Sequence, residues 1–324
     1  MVRLCLWFSI LSHEAKSSPV QDEKMNQQEL LQKINKISIW QQGDIRAPHK
    51  PLLLLYSLGR AYGEEPRLKP YEETSVPLTE LLRQFGPMRK SYKPEEPFTR
   101  LPNDGLWELQ DDSGNSLGYS PGLAKKFLRE NVKGGFPVEI YNQLIADQKL
   151  IKKCALAILT RHFPDTYHAD ILRQVNLPID LHDDVVEATS VPKRKRSPEF
   201  RYNVLRAYER KCAVCGSAVR IGDALFDLEA AHIKWHSHGG PDEVSNGLAL
   251  CVFHHKAFDR GAFGIEPSRD KYVVKLSEDF NGGGPASEWL RNSHGHELRL
   301  PFKQEQMPDS NCVEWHRANV FKGA

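Results

Sequence analysis

From Asn26 to about Val175 the apolar positions recur mostly three and four apart, the period of an amphipathic helix. Residues 27–39 place Leu30, Leu31, Ile34, Ile37 and Ile39 at roughly that spacing. Pro51 then opens a helix through Leu52-Leu53-Leu54-Leu55-Tyr56-Ser57-Leu58-Gly59, apolar nearly all round and therefore buried. Further helices are expected near 76–85, 121–130, 137–162 and 166–176, with Pro164 separating the last two. Phe98 to Leu109 and Gly118-Tyr119 read as strand or loop. Downstream the pattern changes: Leu225 to Ile233 alternates as a strand carrying His232 near its end, and Tyr272 to Leu276 is a second strand. Gly282-Gly283-Gly284-Pro285 reads as a loop and Glu314 to Phe321 as a closing helix whose aromatic residues pack on the domain.

The fold class expected is α+β, a mostly helical N-terminal domain followed by a smaller mixed C-terminal one. A chain of 324 residues can bury two separate cores. His182 to Ser190 has little apolar periodicity. The division expected is a disordered extension over 1–25, a first domain over 26–178, a linker over 179–198 and a second domain over 199–324. The apolar run Leu4 to Leu11 is too short to span a membrane, is broken by Ser9 and lacks a small-residue cleavage site, so neither a signal peptide nor a membrane partner is expected.

A net charge of +2 makes the chain only mildly basic. Any hold on nucleic acid must come from local clusters rather than a global field. The clearest cluster is Lys193-Arg194-Lys195-Arg196, between Pro192 and Pro198 in the linker. Of six cysteines, Cys5, Cys154 and Cys312 show no framework spacing, which suits a reducing cytoplasmic location.

The other three belong to one pattern: Cys212-x-x-Cys215, Glu229-Ala230-Ala231-His232, Asn246-Gly247, then Cys251-x-x-His254-His255. Two close pairs of N and S ligands, Cys212 with Cys215 and Cys251 with His254, suit a closed tetrahedral Zn²⁺ site of structural type. His255, one step round a helix, points away from that zinc and is free to bind a second, catalytic ion. His232 can serve as a general base on water, because an unperturbed imidazole titrates near physiological pH. Asn246 can hold the base or the scissile phosphate by its amide. His236 and His238 read as solvated loop residues; His316 is given no catalytic role.

Over about residues 197–265 this order of residues resembles the HNH, or ββα-metal, endonuclease family in its zinc-stapled form, as does Phe258-Asp259-Arg260-Gly261. The resemblance implies that His232 deprotonates the attacking water, that Asn246 orients that histidine or positions the metal-bound phosphate, and that His255 ligates one Mg²⁺ or Mn²⁺ stabilising the leaving 3′ oxygen. Relatives often carry a second metal ligand immediately before the general base. This chain has Ala231 there, leaving Glu229 or Asp227 as helpers.

In the first domain, Arg46-Ala47-Pro48-His49-Lys50-Pro51 places three basic side chains at a helix start, where phosphate is attracted. Pro97-Phe98-Thr99-Arg100-Leu101-Pro102-Asn103-Asp104-Gly105-Leu106-Trp107 mixes apolar, basic and amide groups in what reads as a constrained loop. These stretches resemble the sulfur-binding domain that precedes HNH domains in McrA-like type IV restriction endonucleases acting on phosphorothioate DNA. Sulfur in place of a non-bridging oxygen is larger and less strongly hydrated, so an apolar cavity accepts it at smaller desolvation cost. The resemblance implies a cavity lined by Pro97, Phe98 and Pro102. Arg46, His49, Lys50 and Arg100 would hold neighbouring phosphates or bases, and Arg100 and Asn103 are of the types that read base edges.

The function implied is hydrolysis of phosphodiester bonds in double-stranded, phosphorothioate-modified DNA, with structural Zn, catalytic Mg or Mn and a homodimer where both strands are cut. Two alternatives stay open: an HNH nuclease whose front domain reads another mark, such as methylcytosine, or plain sequence, and a zinc-containing DNA-binding regulator without catalysis.

Overall fold

The computed structural model describes residues 25–43, 45–118, 132–179, 197–269 and 271–323. Residues 1–24 of the extension expected over 1–25, the helix over 121–130, Tyr119, and residues 180–196 of the expected linker with its basic cluster Lys193 to Arg196 lie outside the described residues. The fold is mixed α+β. Among the described residues no helix is long and apolar enough to cross a membrane.

The N-terminal domain is built on helices α1 (Gln27–Asn35), α2 (His49–Tyr62), α3 (Tyr71–Phe85), α4 (Glu95–Arg100), α5 (Val138–Ala146), α6 (Gln148–His162) and α7 (Asp165–Gln174). Asn26 and Glu29 form a reciprocal capping box that starts α1. The helix ends at Asn35, so Ile37 and Ile39 follow it, Ile37 still buried. Helix α2 begins two residues before Pro51, and Leu52, Leu53, Leu54 and Leu55 are all buried against α3, α4, α5 and α6. A helix with neighbours on every side needs no polar face.

Residues 137–162 form two helices, because Asp147 leaves helical geometry at φ −140° and caps α6 by accepting from the Lys149 and Leu150 amides. Residues 95–104 are not a loop but α4 followed by a 3₁₀ turn, Leu101–Asp104, which ends at Gly105 in the left-handed region, φ +65°. The Pro-rich composition is compatible with helix because Pro97 sits in the first turn, where its missing N–H has no intrahelical partner to lose. Two short strands, β1 (Gln41–Gln42) and β2 (Ile45–Arg46), pair antiparallel ahead of α2, and a small sheet in the order β3-β6-β4-β5 closes the domain: β3 (Lys69–Pro70), β4 (Glu108–Gln110), β5 (Ser116–Leu117) and β6 (Lys133–Gly135).

The C-terminal domain opens with α8 (Pro198–Ala207), capped by Ser197 and not anticipated from the sequence pattern. The expected strand over 225–233 is two strands. Ala224–Leu225 (β8) pairs with Arg220–Ile221 (β7), and Leu228–His232 (β9) pairs antiparallel with Gly247–Cys251 (β10). Helix α9 (Val252–Asp259) follows β10 directly, giving a β-hairpin capped by a helix. Helix α8 lies on the hairpin at Gly247, where an added Cβ would stand 2.4 Å from Val204. A second hairpin, β11 (Phe263–Ser268) with β12 (Lys271–Leu276), and helices α10 (Pro285–Asn292) and α11 (Ser310–Asn319) complete the domain.

The two domains are not insulated. Trp235, Trp315 and Val320 belong to the apolar cluster of the N-terminal domain, and the Tyr167 and Trp235 rings meet edge to face at 5.5 Å. Around this contact Arg46 Nη1 donates to the Ser237 carbonyl at 3.1 Å, and Lys256 pairs with Asp170 at 3.1 Å. Arg260 also pairs with Asp170 while its guanidinium lies over the Phe85 and Tyr167 rings.

Candidate active site

The sulfur ligands arise from a tight turn. Gly216 takes φ +74° and donates its N–H to the Cys212 carbonyl at 2.8 Å, folding Cys215 back beside Cys212. Cys251 ends β10 and His254 lies on the first turn of α9. The hairpin-to-helix corner thus delivers the second pair. The four ligand atoms lie within 4.8 Å of one another, and His254 Nδ1 stands 3.1 Å from Cys251 Sγ and 3.6 Å from Cys212 Sγ. Hydrogen bonds from Cys215 and Cys251 hold the Cys212 thiol low and push those two thiols up. A bound cation is what would allow all three to ionise together. The Cys₃His set is therefore fit to hold a metal ion. Asp227 accepts from Ser217 Oγ at 2.6 Å and from the Val219 amide at 2.9 Å, tying the strand to the cysteine turn.

His232 ends β9, buried beneath Phe200 of α8, whose ring stacks on the imidazole at 4.0 Å. His232 Nε2 is 2.8 Å from Asp242 Oδ1. Burial would raise the Asp242 carboxyl, but the Ser197 amide and the imidazoles of His232 and His236 outweigh it and hold the group below the usual carboxylate range. Asp242 escaped the sequence reading. It lies in the connection Gly239-Gly240-Pro241-Asp242, which has no strand or helix pattern to fix its direction, and its position after the glycine pair was the only signal.

Asn246 is wholly buried, and its amide is spent on backbone. Oδ1 accepts from the Lys234 amide at 2.8 Å, and Nδ2 donates to the carbonyls of Lys234 at 3.0 Å and Pro241 at 2.9 Å. Asn246 therefore clamps both ends of the connection that presents Asp242. His236 and His238 lie in a 3₁₀ turn within that connection and are half-buried rather than solvated, the His238 ring packing on Trp235 and Trp315. His316 is buried, stacked on Phe258 at 3.7 Å with Nε2 against the Phe258 carbonyl.

His255 follows His254 on α9, about 100° further round the helix, and meets different partners. Its Nδ1 is 2.6 Å from Glu229 Oε2 and its Nε2 is 3.3 Å from Asp259 Oδ2. Burial alone would lower its pKa, but Asp259 and Glu229 together push it up to about 9. Glu229 is held low chiefly by its hydrogen bond to His255. Glu229 is 46 % exposed while Asp259 is buried, so solvent reaches this trio from the Glu229 side.

In the N-terminal domain, α2 and α4 pack together and bring the two singled-out stretches side by side. Lys50 Nζ pairs with Asp104 Oδ2 at 2.5 Å. His49 is half-buried with Nδ1 lacking a hydrogen-bond partner, and burial, aided by Arg89, pushes its pKa down to about 4. It is neutral at pH 7. Pro97 and Phe98 are buried, the Phe98 ring meeting Tyr71 and Trp107 at 5.1 and 5.6 Å. Phe98 thus supports this surface from beneath. Arg100 is exposed and pairs with Glu96 at 2.6 Å; Pro102 is half-buried and Asn103 exposed. Arg46 stands apart at the domain contact, where burial and Arg161 lower its pKa.

An antiparallel hairpin carrying a histidine at the end of one strand, an asparagine before the next and a histidine on the following helix defines an HNH, or ββα-metal, nuclease domain. Comparison agrees: residues 212–266 match the HNH endonuclease family, and residues 27–180 match the family described as ScoMcrA-like, DNA sulfur-binding domain. The chain therefore joins a DNA sulfur-binding domain to an HNH endonuclease domain. Among solved structures, it is similar to the sulfur binding domain of SprMcrA complexed with phosphorothioated DNA, at 21% identity over 47% of this chain and 95% of that one, TM-score 0.42. It is also similar to the sulfur binding and SRA domains of ScoMcrA complexed with phosphorothioated DNA, at 19% identity over 62% and 68%, TM-score 0.41. The modification dependent TagI restriction endonuclease is similar at 26% identity over 43% of each chain, TM-score 0.29. At TM-scores below 0.5 these likenesses add nothing to the family matches. No curated protein matches the chain.

Proposed function

We propose that the chain is a modification-dependent DNA endonuclease that binds phosphorothioated double-stranded DNA through its N-terminal domain and hydrolyses a phosphodiester bond nearby. The observation that carries this reading is the pairing of His232 with Asp242 and of His255 with Glu229 on one hairpin-helix unit, in a chain whose other domain is of the sulfur-binding family. With Nε2–H given to Asp242, the proton-accepting nitrogen of His232 is Nδ1, and the adjacent carboxylate stabilises the imidazolium formed when water is deprotonated. Asn246 keeps Asp242 in place rather than touching phosphate. Glu229 and His255 supply the oxygen and nitrogen donors for one Mg²⁺ or Mn²⁺. Such an ion would stabilise charge on the leaving oxygen.

The Cys₃His set is assigned to structural Zn²⁺, since a closed site has no position for substrate. His49 and Pro102, both half-buried, are assigned to the sulfur, where a neutral imidazole and an apolar ring limit the desolvation cost, while Pro97, buried like Phe98, lies beneath that surface. Arg100 and Asn103, both exposed, are assigned to the DNA beside it. Cutting both strands needs two nuclease centres, which a homodimer would supply. Incubating the protein with phosphorothioated and unmodified plasmid, with and without Mn²⁺, tests the reading. Cleavage confined to modified plasmid with metal is expected; equal cleavage of both plasmids would remove the sulfur requirement, and no cleavage of either would remove the nuclease assignment.

A further inference from the structure

Asp259 lies where the two domains meet, and its carboxylate is shared between them. Oδ1 accepts from Trp235 Nε1 at 3.0 Å. Oδ2 accepts from the Thr166 hydroxyl of α7 at 2.5 Å and faces His255 Nε2 at 3.3 Å. Tyr167, the next residue of α7, donates its hydroxyl to the Asp259 main-chain carbonyl at 2.7 Å and packs its ring on Trp235. Among the described residues, the hydrogen bonds seen on this buried carboxylate, apart from that of His255, come from the N-terminal domain or from a tryptophan that packs into its core.

We propose that Asp259 is a positioning residue of the nuclease centre, held by Thr166 and Tyr167 so that docking of the sulfur-binding domain fixes His255 for metal binding. The inference rests on the reading of His255 as a metal ligand. A histidine that binds a metal through one nitrogen is oriented by what its other N–H meets, and a carboxylate there fixes both tautomer and ring direction. Here Nε2–H is directed to Asp259, leaving Nδ1, on the solvent side beside Glu229, as the ligating nitrogen. Without the α7 hydroxyls the Asp259 carboxylate keeps only Trp235 as a partner on the domain contact, and His255 gains rotational freedom. The recognition domain then does more than tether the nuclease to its substrate: it completes the metal site.

The test measures Mn²⁺ affinity of the zinc-loaded full-length protein, without DNA, from the free Mn²⁺ paramagnetic resonance signal. Thr166→Val with Tyr167→Phe removes both hydroxyls and preserves shape, and is expected to weaken Mn²⁺ binding about tenfold, while Asp259→Asn weakens it by about 10- to 100-fold. Thr166→Ser in the Tyr167 wild-type background retains a hydroxyl and is expected to bind within a few-fold of wild type, on the order of the scatter in such measurements. Wild-type affinity in the double variant and in Asp259→Asn, with His255→Ala having lost the ion, would overturn the coupling and leave the nuclease reading standing. Wild-type affinity in His255→Ala would overturn the metal assignment and this inference with it. A loss in Thr166→Ser as large as in the double variant would make the effect one of packing and overturn the positioning role.

Discussion

His232 Nε2 lies 2.8 Å from Asp242 Oδ1, a contact made across the connection between β9 and β10. It gives the candidate base a fixed tautomer and a neighbour that stabilises its protonated form. Replacing Asp242 by Asn keeps the shape but removes the charge and offers an amide N–H that favours the wrong tautomer. Cleavage rate at saturating phosphorothioate DNA is expected to fall by about 10²-fold or more, with DNA affinity unchanged. A wild-type rate in Asp242→Asn would show that the carboxylate does not act on His232.

Asn246→Ala strands two carbonyls and one amide in a buried site. Net hydrogen-bond losses and unsatisfied groups together predict destabilisation of about 3 kcal/mol. Denaturant unfolding of the full chain measures this. Cleavage is expected to fall as well, because the residue holds the loop that presents Asp242, and a variant as stable as wild type would contradict the clamp.

Metal removal provides a separate check. Zinc bound at Cys212, Cys215, Cys251 and His254 would couple directly to folding, since it joins the cysteine turn to α9. Strong chelators or Cys251→Ser are expected to remove about one zinc per chain and to lower helical circular dichroism. The N-terminal domain has its own core and is expected to keep binding phosphorothioate duplex. Retention of full cleavage after zinc loss would refute the structural assignment.

Stability also depends on pH through His316, which is buried against Phe258 and pushed down to about 4 by desolvation. The unfolded chain binds this proton from about pH 6.5 downward, whereas the folded chain does not until near pH 4. Folding stability is thus lost as pH falls from about 6.5 to 4, by up to about 3 kcal/mol for this group. His49, also near 4, acts in the same direction. The expected result is a melting temperature that drops across this window, and a shallower drop in His316→Gln; equal slopes would show that His316 contributes nothing.

At the recognition surface, His49→Ala is expected to weaken binding to a duplex carrying one phosphorothioate by about tenfold, or 1.4 kcal/mol. Binding to unmodified duplex should change less. Competition binding with matched duplexes decides this, and equal losses on both would place His49 outside the sulfur contact.

Chemistry held in local spacing was legible along the chain. Cys212-x-x-Cys215 and Cys251-x-x-His254 are close enough along the chain to force each pair together, and adjacency on α9 sets His255 about 100° round the helix from His254, off the face that carries the zinc-type ligand. The buried α2 was equally legible, because four consecutive leucines tolerate no solvent face. The polar partners were decided by tertiary structure. Asp242 and Glu229 reach their histidines only once β9 and β10 pair, and Thr166 reaches Asp259, 93 residues away, only when the domains dock. No residue periodicity encodes such contacts, since they depend on where two independently formed surfaces meet. Phe98 and Arg46 show the same limit from the other side: each has the right character for DNA or sulfur, yet packing places one in the core and the other against Ser237. Side-chain chemistry is a local property, whereas the direction a side chain faces follows from burying all the apolar surfaces at once.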